Sequence, residues 1–572
     1  MYPVRIDAPR PVRALLGLML ASAAMLCSPP SGAGMPTEVY VNAAGTCDYP
    51  TLQAAVDDLA PGSEIRLVGP SFQLSGSLNL FNRQLVIAGG YAACGAPAPE
   101  GTTLLQAAFA GAPVISAGGN LPGALDLTLR DLVLAGADNP TGNGGGLLVT
   151  GQGQVNLVGV EVRDNLAGSG GGLYVAEIGG SLDVNLLGGS RIGTEDGAGN
   201  GAHFGGGVYC SQARMRLGHA DIMSNAASQN GGGLFADGCQ ILSTEQVGDL
   251  RIEGNRARRG GGIYATGASE LVLRSRLQQK VSISHNEASV GAAPQSGGGI
   301  YLIGFGTTLS GEGLRIDNNI ARGFAAGLIV VGASATLSRG SNSCALGDIA
   351  CSSLSGNQVR DAMGALTGST AAAFVAGGGS PQLSLQQTRM VGNAAGGSIL
   401  AVGDAGVLEL SSVLIAGNQT QGGLLSVSSS GALRGDLLTI ADNLFPSAAL
   451  LNNSSASPGV RLDRSILLVE PGSAHLSGGG SSEFSCLNTG AGGALGGSAH
   501  PPGFANAASG DYRLAADSQN LDQCADGDIA SPFDIGGYPR VIDRPDSANA
   551  AGAVDRGAFE DIDQLLQDGF EG

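Results

Sequence analysis

No tryptophan occurs among the 572 residues, lysine occurs once, at Lys280, and aromatic residues make up only 4%. The missing indoles remove the largest side chain that stacks on a sugar ring. With so few lysines and a formal net charge of −19, no basic stripe follows a phosphate backbone, so a nucleic-acid partner is not expected. Cys-x-x-Cys, Cys-x-x-His and Gly-x-Ser-x-Gly are absent, which removes the common zinc frameworks and the hydrolase nucleophile elbow. The five histidines, His203, His219, His285, His475 and His500, show no metal-ligand spacing. Charged residues reach only 13% against 43% hydrophobic, too apolar a balance for a disordered chain.

What the chain has in excess is glycine, 97 residues of it, ordered into a recurring phrase. Gly144-Gly145-Gly146-Leu147, Gly170-Gly171-Gly172-Leu173-Tyr174, Gly205-Gly206-Gly207-Val208-Tyr209, Gly231-Gly232-Gly233-Leu234-Phe235, Gly260-Gly261-Gly262-Ile263-Tyr264 and Gly297-Gly298-Gly299-Ile300-Tyr301 are six copies. Their starts lie 26, 35, 26, 29 and 37 residues apart, a period that implies a solenoid. Within a unit the apolar residues come in short bursts that alternate at period two, such as Leu182-Asp183-Val184-Asn185-Leu186, and no segment of the repeats keeps a helical period. The expected fold is therefore all-β: a right-handed parallel β-helix of three short strands per coil, filled by ladders of Leu, Val and Ile.

An asparagine precedes most glycine runs, five residues ahead at Asn165, Asn200 and Asn255 and six ahead at Asn225. The series continues through Asn286, Asn319, Asn357, Asn393, Asn418 and Asn443. Glycine and asparagine are the residues that tolerate a left-handed corner. Placed at one corner of successive coils, the asparagine amides would hydrogen-bond up the stack as a structural ladder.

The phrase Gly-Gly-x-Leu/Ile-Tyr after an asparagine resembles the repeats of bacterial polymorphic outer-membrane proteins, within the wider pectin-lyase-like group of β-helices. The likeness runs from about 140 to 450, with Gly-Gly-Gly for their Gly-Gly-Ala and Val162-Arg163-Asp164-Asn165 for their Phe-x-x-Asn. It implies an exported protein at the cell surface, associated with the outer membrane. Thr51-Leu52-Gln53-Ala54-Ala55 with Gly89-Gly90-Tyr91 resembles the opening of many pectin-lyase-like chains. Phe504, Gly510-Asp511-Tyr512-Arg513-Leu514, Asp522, Asp534-Ile535-Gly536-Gly537-Tyr538-Pro539-Arg540 and Val554-Asp555-Arg556-Gly557-Ala558-Phe559-Glu560 resemble the C-terminal region of choice-of-anchor β-helices.

Four segments follow: a signal peptide over 1–33, an N-terminal cap and first coils over 34–130, β-helix repeats over 131–475, and a C-terminal coil, cap and tail over 476–572. The leader has Arg5, Arg10 and Arg13 ahead of the apolar run Ala14 to Leu26, about 13 residues and short for a membrane span, so none is expected in the mature chain. Leu52, Ala55, Val56 and Leu59 share one helical face, which predicts a short capping helix over the open end of the core. Eight cysteines remain after export, and in order they form the couples Cys47 and Cys94, Cys210 and Cys239, Cys344 and Cys351, Cys486 and Cys524. An even count in an exported chain suggests disulfides, of which sequential pairing is one of 105 connectivities. Gly478-Gly479-Gly480-Ser481-Ser482 reads as a flexible break, and the final coil as one closed by charged pairs, Arg540 with Asp555 or Glu560.

Enzymes of the pectin-lyase-like group use Asp-bound calcium with an Arg or Lys base, or clustered aspartates on one face, so the test is whether acids stack in neighbouring coils. Asp164 and Asp442 stand immediately before ladder asparagines, and Glu253 and Asp317 two residues before theirs, while Met223, Ser224, Ser284 and Gly356 fall between. They do not cluster. Asp196-Gly197-Ala198-Gly199-Asn200-Gly201 lacks a closing glutamate and reads as a turn. No cofactor is expected; the acidic loop Asp522, Asp526 and Asp528 is where calcium is weighed against a solvated turn. No catalytic or metal residue is assigned. The reading is a secreted or surface-exposed scaffold that binds a cell-surface or glycan ligand, with a polysaccharide lyase or glycoside hydrolase as the alternative.

Overall fold

The computed structural model describes residues 37–560 apart from 198, 292–294, 341–350, 429, 447, 456–458, 491–493 and 544–548. The expected leader over 1–33, Cys344 and the end of the C-terminal tail, from 561 on, lie outside the described residues.

The repeat builds a parallel β-helix, but most coils of the glycine-rich stretch carry four strand segments rather than three. One coil runs Ala226–Asn230, Leu234–Asp237, Gln240–Ser243 and Leu250–Glu253. Each segment pairs in parallel with its counterpart one coil on: Ala226 with Arg256, Leu234 with Ile263, Ile241 with Leu271 and Leu250 with Val281. The extra segment arises because a turn divides the burst after the glycine run, here at Gly238 with φ 66°. Both halves stay in one 28-stranded sheet, flanked by a 10-stranded sheet and a 9-stranded one that a 4-stranded sheet succeeds. In two coils the division is absent and the halves form single strands, Leu147–Val158 and Leu173–Leu187.

The interior is a set of side-chain columns. Val149, Val175, Cys210, Ala236, Ala265 and Leu302 occupy one register position in six successive coils, each fully buried. At the open N-terminal end the helix Leu52–Asp58 buries Leu52, Ala55 and Val56, with the Thr51 hydroxyl accepting from the Ala54 N–H at 3.1 Å. Disulfides join Cys47 to Cys94, Cys210 to Cys239 and Cys486 to Cys524, and Cys351 is disulfide-bonded and buried.

The stack extends past the glycine-rich stretch at 478–482, which is only a turn: Ala474–Ser477 pairs with Ala449–Asn453, and Ser482–Ser485 with Gly459–Asp463. Parallel bridges continue to Asn488 and Ser498, and among the described residues beyond them no strand joins the stack, Phe504–Asn506 and Asp511–Leu514 pairing antiparallel with each other. The described residues of 504–560 lie along the outside of the strands Arg389–Val391, Leu414–Ala416, Thr439–Ala441 and Ile466–Leu467. Leu414, Ala416 and Ala441 pack there against Tyr512, Ile535, Ala558 and Phe559. The final element is thus a strap on the flank rather than a closing coil, seated where Leu414, Ala416, Ala441 and Ile466 make the outward side apolar too. Arg540 meets Glu560 inside the strap at 3.6 Å, both side chains fully buried.

Candidate functional site

The asparagine series forms a continuous interior ladder. Asn225 Nδ2 donates to Asn255 Oδ1 at 3.0 Å and to the Ile192 carbonyl at 2.8 Å, while its Oδ1 accepts from the Asn200 backbone N–H and Nδ2 at 3.0 and 2.9 Å. The same amide-to-amide step links Asn165 to Asn200, Asn255 to Asn286, Asn286 to Asn319, Asn319 to Asn357, Asn357 to Asn393, Asn393 to Asn418 and Asn418 to Asn443. Glycine accompanies asparagine because the two columns touch. A Cβ on Gly233 would stand 2.8 Å from the Gly262 carbonyl oxygen and 2.9 Å from Asn255 Nδ2.

The left-handed residue of most corners is the one before the asparagine: Asp164, Ser224, His285, Asn318 and Asp442 have φ between 53° and 58°. That accounts for the acids there, since Asp, Asn and His enter this region more readily than most side chains. Asp164 pairs with Arg163 at 2.6 Å, and Asp442 Oδ2 accepts from the Tyr512 hydroxyl at 2.9 Å. Glu253 lies 3.0 Å from His285 Nδ1 and is separated from Asp317 by the coil carrying Ser284. Burial pushes the Asp317 carboxyl above the usual range, and it accepts from the Ser353 hydroxyl at 2.6 Å and the Ser355 N–H at 2.8 Å. These four acids do not converge.

A different pair does stack. Asp436 and Asp463 are register partners in adjacent coils, as are Arg434 and Arg461, and Glu409 lies one coil below Arg434. They floor a cleft of about 380 Å³ walled by Asp528 and Ala530 of the strap. Arg464 grips Asp436 with two prongs, Nε to Oδ1 at 2.8 Å and Nη2 to Oδ2 at 2.7 Å, and donates to the Gly527 and Asp528 carbonyls. The Ala530 N–H also donates to Asp436. Arg461 holds Asp463 at 2.8 Å and Arg434 holds Glu409 at 3.3 Å. Both of these arginines are mostly exposed, 65% and 60%, and exposed pairs are worth about 0–1 kcal/mol. An incoming anion can therefore take either guanidinium at little cost. The sequence signal for this site is Arg434-Gly435-Asp436 recurring as Arg461-Leu462-Asp463.

Elsewhere the surface offers less. Tyr174, Tyr209, Phe235, Tyr264 and Tyr301 form an outward column with ring centroids 4.9–5.3 Å apart, but the rings spend their faces on one another. A hollow beside the N-terminal helix, lined by Asn42, Pro50, Gln53 and Phe72, has no titratable side chain. Asp522 is fully buried while Asp526 and Asp528 face solvent, and among the described residues no three His, Cys, Asp or Glu side chains come together to hold a metal ion. No helix among the described residues is long and apolar enough to cross a membrane.

No protein-family model and no curated protein matches this chain. Among solved structures, the crystal structure of pectate lyase Pel9A is similar at 11% identity and a TM-score of 0.21, covering 92% of this chain and 97% of that one. A likeness at that level carries no argument about residues or chemistry, and the fold rests on the parallel pairing itself.

Proposed function

We propose that this chain is an exported bacterial β-helix scaffold that presents its outer faces, and the charged cleft at Arg434 and Arg461 above all, to a cell-surface or glycan ligand. The observation that carries the reading is the commitment of the acids: Asp436, Asp442 and Asp317 each serve a structural contact, while the two cleft arginines remain exposed. The repeat and C-terminal resemblances to outer-membrane and choice-of-anchor proteins belong to the same reading, as does surface localisation.

The alternative is a polysaccharide lyase or hydrolase, favoured by the stacking of Asp436 on Asp463. Adjacent coils lie about 4.8 Å apart, within reach of paired-carboxyl chemistry. The two readings part on a panel of acidic and neutral polysaccharides, incubated with the purified chain with and without calcium. Retention without cleavage, weakened by Arg434→Ala with Arg461→Ala, supports the scaffold. Cleavage that Asp463→Asn abolishes overturns it, and neither retention nor cleavage overturns both.

A further inference from the structure

The aromatic column uses its rings for packing and leaves hydroxyls unused. Phe235 holds the same register position as Tyr209 and Tyr264 and stacks on both, with centroids 4.9 and 5.2 Å away. A phenyl ring therefore meets every demand of the stack, yet Tyr174, Tyr209, Tyr264 and Tyr301 are phenols. The rings of Tyr264 and Tyr301 lie 5.3 Å apart and 19° from parallel, and neither hydroxyl has a hydrogen-bond partner among the described residues. Tyr264 is only 7% exposed, and a buried polar group without a partner costs stability. By contrast, the hydroxyls of Tyr40, Tyr49 and Tyr512 bond to the Ala96 carbonyl, Asp58 and Asp442.

A cation stands beside this pair. Phe204, Asn230, Arg259, Ser296 and Phe324 are register neighbours in successive coils, at the corner that leads into the column. The two phenylalanines of that row each lean on the column one coil on, Phe204 edge-on to Phe235 at 5.7 Å and Phe324 edge-on to Phe374 at 4.6 Å. The same lean carries Arg259 toward Tyr301. Burial pushes the Tyr264 and Tyr301 hydroxyls above the ordinary tyrosine range, and the Arg259 charge opposes that rise at both. Arg251 and Arg322, in nearby coils, are held by Asp221 and Glu287; Arg259 makes no ion pair among the described residues. Lower in the column the charge near Tyr209 has the other sign, that of Asp237.

An oxygen seated between two hydroxyls spaced like their rings meets each at about 2.7 Å, an ordinary O–H···O hydrogen bond. The guanidinium has parallel N–H groups for two further oxygens. Three oxygen positions match a phosphoryl or sulfuryl group, whereas a carboxylate has two. We propose that Arg259, Tyr264 and Tyr301 form a site for a tetrahedral oxyanion, presented as the phosphate or sulfate ester of a glycan. The site lies in other coils than the cleft at Arg434 and does not rest on the reading given to that cleft.

Calorimetric titration of the purified chain, in buffer free of phosphate and sulfate, compares inorganic phosphate, inorganic sulfate, a sugar monophosphate, the parent sugar and its uronate. Saturable heat is expected with the phosphate and sulfate probes and none with the parent sugar. Tighter binding of the sugar monophosphate than of inorganic phosphate supports the ester as ligand, and equal affinity overturns the ester in favour of the free ion. Tyr264→Phe and Tyr301→Phe keep the stack, as Phe235 does, and each should weaken binding by about tenfold. Arg259→Met keeps the apolar stem and should weaken it by about a hundredfold. Tyr209→Phe, beside Asp237, should leave it unchanged. Near-ultraviolet circular dichroism checks that each variant retains the stacked rings. No heat from any phosphate or sulfate probe, a uronate bound as tightly as the ester, or affinity unchanged by Arg259→Met would overturn the proposal. No cleft residue is altered, so failure here is distinct from failure at Arg434 and Arg461.

Discussion

Two stretches of one flank carry the same inward ladder and opposite outward faces. Over Glu161–Arg163, Leu250–Glu253 and Leu314–Asp317, inward Val162, Ile252 and Ile316 alternate with outward charged residues held by polar partners, Arg163 by Glu161, Arg251 by Asp221, Glu253 by His285 and Asp317 by Ser353. Over Leu414–Ala416 and Thr439–Ala441 the outward residues are Leu414, Ala416 and Ala441, buried beneath the strap. The columns decide that coils stack; the outward face decides what else the coil can hold. The outer surface therefore varies along the solenoid without any change in the interior ladder.

The largest expected effect comes from what both stretches share. Asn255→Ala removes an amide that donates to the Ile222 carbonyl and to Asn286, and that accepts from Asn225 through two donors. At about 1–3 kcal/mol for each buried polar group left unpaired, the loss should reach about 3 kcal/mol or more, read as a lower thermal midpoint in which coils and strap unfold at lower temperature together. A midpoint within a degree of wild type would show that the ladder is ornament to the apolar columns.

Next in size is a change confined to the second stretch. Leu414→Ala, beneath Ile535 and Phe559, should weaken strap docking by about 2–3 kcal/mol. Amide hydrogen-exchange protection then falls across residues 504–560 and holds in the coils. Arg163→Ala, which removes a partly exposed ion pair with Glu161 and an exposed one with Asp164 in the first stretch, should change stability by less than about 1 kcal/mol. Equal losses from the two variants would remove the distinction drawn between the two flanks.

That distinction was written in the sequence as a change of period. Val160-Glu161-Val162-Arg163 and Leu314-Arg315-Ile316-Asp317 alternate, whereas Val413-Leu414-Ile415-Ala416 does not, and an unbroken apolar run means burial on both faces. The ladder, the glycine columns and the capping helix were legible because each is local or strictly periodic. The strap's seat and the cleft were not, since Ala530 meets Asp436 and Arg540 meets Ser412 across 94 and 128 residues. The fourth strand was hidden because its turn, as at Gly238, sits inside one apolar burst. Acids before the ladder were legible as residues and not as roles: they mark the left-handed corner.

His285 tests that assignment at a smaller scale. With φ at 54°, His285→Gly should leave stability nearly unchanged, whereas His285→Val should cost about 1–2 kcal/mol, the price of a branched side chain in the left-handed region. The exposed pair with Glu253 is lost in both variants, so a difference between them isolates the backbone. Matching losses in the two variants would instead assign the residue's importance to its imidazole.

The smallest expected effect is a slope rather than a midpoint. Asp317 combines burial with a raised carboxyl, the pairing of properties that marks a proton donor in an active site. Its oxygens, however, accept from Ser353 and Ser355 one coil on, which makes the same shift a matter of coil-to-coil stability. Raised in the folded state, Asp317 favours folding most below the ordinary aspartate range, and that contribution is lost as pH rises through its folded value. Asp317→Asn keeps an oxygen to accept from the Ser355 N–H and cannot ionise, so its stability should depend less on pH and exceed the wild type at the alkaline end. Thermal midpoints collected across mildly acid to alkaline buffers would show the two curves diverging in that direction. If they run parallel while polysaccharide cleavage disappears in the variant, Asp317 is acting on a substrate and not on the coil above it.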